Sequence, residues 1–224
     1  MEELALFSSN SIAFLARWAH LLAGITWIGL LYYFNFVQGE YFKEADGGAK
    51  SDAIQKLVPR ALWWFRWGAM FTFLSGAYLI YLRHLSGMGI MIGATLGTIM
   101  FLNVWLIIWP AQKIVIASAK QVASGGDPLP GVAVALGKAG LASRTNTLFS
   151  IPMLFFMASS VHLGQIQTPI HEASAATLAF VYGLIVVLGL NGVVGKTGPF
   201  TTVKGVIGSG FLLTAILYLM VEMI

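Results

Sequence analysis

Six apolar stretches, near 11–36, 61–83, 88–110, 144–164, 174–191 and 203–223, constrain this chain more than any other feature. Crossing a bilayer as an α-helix takes about 20 residues at 1.5 Å each, and each stretch falls within that range. None shows the ten-residue alternation of a barrel strand, and a helix satisfies its own backbone in lipid. The fold expected is therefore all-α, a polytopic transmembrane bundle of six spans that forms a single domain over residues 1–224 in the lipid bilayer. Charge supports this: only 10% of the residues are charged and 58% are hydrophobic, where a soluble domain carries about 25% charged residues. A soluble monomer is excluded. Only Glu2 and Glu3 stand before the first stretch as charges, so it lacks the basic start of a signal peptide and reads as a retained helix.

The few bases set the topology. Lys43, Lys50, Lys56 and Arg60 lie between spans one and two; Lys113, Lys120, Lys138 and Arg144 lie between three and four; Lys196 and Lys204 lie between five and six. With Arg66, eleven of the 13 Lys and Arg fall on one side, and only Arg17 and Arg83 on the other. The positive-inside rule then puts the odd connections in the cytoplasm and both termini outside. Two cytoplasmic segments read as short surface helices: Ser51 to Leu57, interrupted by Pro59, and Ala111 to Ser124, which breaks at Gly125-Gly126-Asp127-Pro128-Leu129-Pro130.

Several chemistries drop out. The bases form no stripe, so nucleic acid is not an expected partner. Zero cysteines remove disulfides, thiolate metal sites and the C-x-x-C-H attachment of a c-type haem. Gly189-Leu-Asn-Gly192-Val-Val-Gly195-Lys196-Thr197 resembles a phosphate loop, but Leu190 occupies the position that needs glycine. Gly89, Gly93 and Gly97 share a helix face suited to close packing.

Two polar sets remain, one at each membrane side. The outer set holds all four histidines. His20 lies about 13 Å along span one from Ser11, His84 ends span two, His162 ends span four, and His171 follows it. Intramembrane ionisable groups are functional candidates by default. Haem b is the cofactor such bundles hold through histidines on facing helices. On that reading His20 and His162 are the ligands of the haem iron, with His84 a further cofactor-binding candidate. Gly24, one turn beyond His20, leaves room for a flat ring, and Arg17 is placed to pair with a propionate. A histidine near a helix end also serves as an interfacial residue bonded to backbone or water. That competing reading is strongest for His171 and His84, and weakest for His20.

The inner set comprises Arg66 and Trp67 in Trp63-Trp64-Phe-Arg66-Trp67, then Asn103 and Trp105 before Trp109-Pro110, then Arg144 and Asn146 in Arg144-Thr145-Asn146. An aromatic belt with snorkelling bases accounts for it; so does a pocket for a planar anion, stacked on Trp and held by Arg. On the second reading Arg66, Trp67, Asn103, Arg144 and Asn146 bind substrate.

Four ordered motifs carry a resemblance. Phe14-Leu-Ala-Arg17-Trp18-Ala-His20-Leu-Leu-Ala-Gly24-Ile-Thr-Trp27-Ile28-Gly29 is similar to the first helix of the membrane-bound urate hydroxylase family, the urate oxidase N-terminal domain. Trp64 to Gly76 resembles its second helix, Gly97 to Lys113 its third, and Ser143 to His162 its fourth. The resemblance implies a multi-pass bundle in the inner (cytoplasmic) membrane of a bacterium that oxidises urate inside and passes electrons outward to cytochrome c. Departures mark a divergent member, expected to lack the family's C-terminal cytochrome c domain. Gly68 stands where the family pattern has an acidic residue, and Thr145 where it has a histidine. Both losses fall in the inner set and remove its obvious acid–base groups.

Three functions follow as expectations. The first is a haem b redox protein that passes electrons to or from a partner on the extracytoplasmic side, a cytochrome c or another membrane redox subunit. The second is a non-catalytic accessory or structural subunit of a larger membrane complex or oligomer. The third is urate oxidation with a separate cytochrome c.

Overall fold

A computed structural model of the chain describes residues 8–160 and 162–222. Among them six long helices follow one another: α1 Ser9–Glu44, α2 Val58–Arg83, α3 Met88–Ala123, α4 Val132–Ser159, α5 Ala175–Val194 and α6 Val203–Glu222. Side-chain caps start two of them. Ser8 Oγ accepts the Ser11 amide at 3.3 Å, and Ser174 Oγ accepts that of Thr177 at 3.1 Å. Four of the six, α1, α3, α5 and α6, are by length and composition apolar enough to cross a membrane.

Helix α4 follows a different logic. It is central: Ala142, Thr145, Asn146, Thr147, Leu148, Phe149 and Ser150 are all buried. Its polar side chains bond back to its own turns, Thr145 to the Leu141 carbonyl at 3.0 Å and Thr147 to that of Ser143 at 3.0 Å. A helix shielded by its neighbours tolerates hydroxyls that a lipid-facing one would not. The lipid-facing role falls to Ile25, Tyr81, Leu106, Phe180, Val194 and Phe211, all exposed apolar or aromatic side chains.

Three prolines lie inside continuous helix rather than ending it, Pro152 within α4 and two that each follow a π segment. Gly47–Asp52, capped by Asp46 through the Ala49 amide at 2.8 Å, leads through a π-helical segment, Ala53–Leu57, straight into α2, where Pro59 is the second residue. Helix α3 passes through a π segment, Asn103–Ile108, and again a proline, Pro110, stands second after it. The wider turn leaves proline's missing N–H and its ring without the usual clash. So the expected interruption at Pro59 does not occur, and Ala111 to Ala123 continues α3 instead of forming a separate helix. A third π segment, Tyr33–Gln38, lies within α1.

Close backbone approaches fix the helix pairs. A Cβ on Gly68 of α2 would lie 3.1 Å from the Trp27 amide nitrogen of α1, and one on Gly93 of α3 only 2.8 Å from Met157 Cγ of α4. The expected glycine face of span three therefore packs on α4. At one end of the bundle the α2–α3 and α4–α5 connections join: the Met88 amide donates to the Thr168 carbonyl and that of Ile170 to the Ser86 carbonyl, both at 2.8 Å. At the other end Lys50, Ser51 and Ile54 face Val115, Ser118 and Val122 across a groove of about 290 Å³. Leu31, Met100, Phe149, Phe156 and Ile185 form part of the core between, each with no exposed surface.

Candidate functional site

The inner polar residues converge. Asn103, buried in the π segment of α3, donates through Nδ2 to Asn146 Oδ1 of α4 at 2.8 Å, and Asn146 Nδ2 donates to the Met100 carbonyl at 2.9 Å. Arg66 of α2 lays its guanidinium 3.6 Å from the centre of the Trp109 ring and 5.6 Å from that of Trp105. Trp67 meets Trp105 edge to face, ring centres 5.8 Å apart. Arg144 follows Ser143, whose Oγ accepts from Asn35 Nδ2 of α1 at 2.8 Å. The tail of α1 thus closes the set from a fourth side. Tyr32 and Ser150 add a hydroxyl pair at 2.9 Å.

Helices α1 to α4 each carry buried polar atoms that are unsatisfied. Among the described residues, Arg66 Nε, Arg144 Nη1, Trp105 Nε1 and Trp27 Nε1 are buried with no hydrogen-bond partner, as is the acceptor Gln38 Oε1. Each such group costs about 1–3 kcal/mol. Folded proteins leave few of them, and a cluster calls for an explanation. A ligand that accepts hydrogen bonds supplies one. Cation–π contact with two indoles holds Arg66 in place without using its N–H groups.

The departures noted in the sequence are structurally absorbed. Gly68 is filled against by α1, with Trp27 N and Ala23 O 3.1 and 3.3 Å from where its Cβ would be. Thr145 occupies the space opposite Gly192, whose Cβ would meet its Oγ1 at 2.6 Å. The nearest carboxylate is Glu40, which acts electrostatically on Arg144 while Lys43 holds both its oxygens at 2.8 Å.

The outer histidines are more dispersed. His20 is half-buried between α1 and α2, its Nδ1 3.1 Å from Ser75 Oγ. Ser75 Oγ also lies 2.6 Å from the Phe71 carbonyl; with its hydroxyl hydrogen turned there, it accepts from Nδ1–H and the lone pair stays on Nε2. Gly76 sits against the imidazole, its would-be Cβ 3.0 Å from Cε1, and Gly24 faces Thr72 of α2 at 3.9 Å. His84, His162 and His171 belong to the joined connections at one end of the bundle and are exposed; Arg17 is exposed on α1. Among the described residues no group of three His, Cys, Asp or Glu is gathered for a metal ion. His162 lies in the turn after α4, beyond its last residue Ser159.

Apolar helices of membrane-spanning length around a buried polar centre are those of a multi-pass membrane protein. Residues 81–191, about half of the chain, match the family model described as urate oxidase N-terminal, and the chain belongs to that family. The match takes in Asn103, Arg144, Asn146, His84 and His162; Arg17, His20, Gly24, Arg66 and Trp67 lie before it. No curated protein and no solved structure matches the chain.

Proposed function

We propose that this member of the urate oxidase N-terminal family binds a flat organic anion of the urate kind at the inner centre, between Arg66, Trp67, Asn103, Arg144 and Asn146. The observation that carries the reading is the pair of arginines, Arg66 stacked on Trp109 at 3.6 Å and Arg144, each with a buried N–H that has no partner among the described residues. The bundle spans the bilayer six times on this reading, with α4 shielded by the others, α2 facing lipid through Trp64, Phe71, Leu74 and Tyr81, and both termini extracytoplasmic. The eleven bases on one side support that orientation in a bacterial inner membrane, and the site then lies towards the cytoplasmic side. With Gly68 and Thr145 packed against neighbouring helices, the centre has no acid–base pair of its own. Binding without turnover by the isolated chain follows, which suits an accessory subunit of a larger membrane complex. Isothermal titration of urate into the purified protein tests the binding: saturable one-to-one uptake is expected, and no uptake overturns the reading.

A second reading, haem b electron transfer, rests on His20. Its Nδ1–H is committed to Ser75, and its Nε2 lone pair is left to ligate iron; His162 would be the second ligand, and a cytochrome c or another redox subunit the partner. Bound haem would supply one-electron transfer. The protein's own part is to orient the imidazole through Ser75 and Gly76. A pyridine-haem spectrum of the native protein tests this: a Soret band abolished by His20→Ala supports it, and a colourless preparation overturns it.

A further inference from the structure

We propose that the head of α4 and the α5–α6 connection form a docking surface for the headgroup of an anionic phospholipid, held by Lys138, Lys196 and Lys204. The proposal rests on the bundle crossing a bilayer and is independent of what the inner centre binds.

Charge is spread unevenly over the end of the bundle that holds the inner centre. The carboxylates there, Glu40, Glu44, Asp46, Asp52 and Asp127, all precede α4. Glu40 pairs with Lys43, and Asp52 with Lys56. From Pro128 onward the same end carries Lys138, Arg144, Lys196 and Lys204 but no carboxylate, because Glu172 and Glu222 lie at the opposite end. Lys138, Lys196 and Lys204 are exposed, and none of them makes an ion pair among the described residues.

Packing brings these three lysines to one place. Thr145 of α4 faces Gly192 of α5. Lys138 precedes Thr145 by two helical turns, so it shares that face of α4, about 10 Å nearer the helix start. Helix α5 ends at Val194, and Lys196 stands second after it. Asn191 clasps the backbone of that lysine, Nδ2 donating to its carbonyl at 3.1 Å and Oδ1 accepting its amide at 3.4 Å. Lys204 is the second residue of α6, and Gly210 of α6 packs on Ile151 of α4. Position 204 precedes 210 by as many residues as 145 precedes 151, which sets Lys204 level with Thr145.

Helix α5 measures the bilayer at this point. Its 20 residues span about 30 Å, the thickness of the hydrocarbon core. Val193 and Val194 at its end are exposed apolar side chains, so acyl chains reach the foot of the connection and headgroups begin there. Three ammonium groups without a carboxylate to answer them then face the phosphates. A zwitterionic headgroup brings its own cation to the same place and gains less. Each basic side chain near an anionic leaflet favours it by about fivefold.

The test uses the purified full chain in mixed micelles of phosphatidylglycerol and phosphatidylcholine in equal amounts, with retained lipids counted by native mass spectrometry. Wild type is expected to retain phosphatidylglycerol about fivefold or more over phosphatidylcholine. The triple variant Lys138→Gln, Lys196→Gln, Lys204→Gln is expected to lose that preference. The control triple Lys50→Gln, Lys56→Gln, Lys120→Gln removes the same charge from the side that carries carboxylates and is expected to keep it. Millimolar inorganic phosphate is expected to leave the retained phosphatidylglycerol unchanged. No preference in wild type, or an equal loss in both triple variants, overturns the proposal. Displacement by inorganic phosphate also overturns it, since the lysines would then hold a free anion. Should the first triple variant not fold, its three single variants serve instead, each expected to lower the preference about twofold or more.

Discussion

Asn103 and Asn146 clasp α3 to α4: one amide donates to the other at 2.8 Å, and Asn146 passes its own N–H to the Met100 carbonyl. The carbonyl belongs to the turn just before the π segment. Side-chain hydrogen bonds between membrane helices average about 0.6 kcal/mol, up to about 1.7. Leaving a buried partner unmatched costs about 1–3 kcal/mol. Asn146→Leu strands Asn103 Nδ2 and also forfeits the second bond to the Met100 carbonyl, which keeps its backbone partner, so it is expected to destabilise by more than Asn103→Leu. The two changes together are expected to cost less than their sum. Thermal unfolding of the three variants in one detergent checks the order.

Thr145 and Gly192 form a matched pair of another kind. A methyl on residue 192 would lie 2.6 Å from Thr145 Oγ1. Gly192→Ala is therefore expected to destabilise by about 1–3 kcal/mol through overpacking. Thr145→Ala in the same chain is expected to recover only part of it, because the Cβ of residue 145 still lies 2.8 Å from the added methyl. The midpoint of thermal unfolding checks this, and the absence of recovery would mean that α5 responds to the methyl elsewhere.

Restoring a carboxylate at position 68 is expected to fail as a gain of function. Its Cβ would lie 3.1 Å from the Trp27 amide nitrogen, on the close approach of α1 and α2. Gly68→Asp is expected to lower the yield of folded protein and to give no urate consumption with cytochrome c added. Urate turnover by that variant would show that the helices separate easily and that only the carboxylate was missing.

At the outer end, Ser75→Ala removes the acceptor that orients His20. If His20 holds haem, the variant is expected to keep the pigment but shift its reduced spectrum or potential, while Gly76→Val, which crowds the ring at Cε1, is expected to lower the haem content outright. Equal haem content and identical spectra in all three proteins would contradict a ligand role for His20.

Much of this arrangement is legible in the sequence. The six apolar runs coincide with six helices among the described residues, because length and hydropathy act locally. The helix ends are less legible. Pro59 and Pro110 read as breaks, yet each follows a π segment that accommodates it, a feature of backbone register that no side-chain pattern announces. Helix α4 begins twelve residues before its apolar run because Val132 to Ser143 pairs with the far end of α3, through Ala111, Ala135 and Ala139. The pairing of Asn103 with Asn146, and of Arg66 and Trp67 with Trp105, is within reach of the sequence, since bases and amides beside tryptophans inside apolar runs are costly without purpose. The part of Asn35 is not, because its bond to Ser143 depends on where the tail of α1 crosses α4.

The central claim is that Arg66 and Arg144 together hold a flat anion inside the bundle. Titration of urate into the wild-type chain and into Arg66→Gln, Arg144→Gln and the double variant tests it most directly. The account predicts saturable binding by wild type, at least a tenfold loss in each single variant and no detectable binding in the double variant, each protein unfolding near the wild-type temperature. Binding that is absent from wild type, or that survives in the double variant, would contradict it.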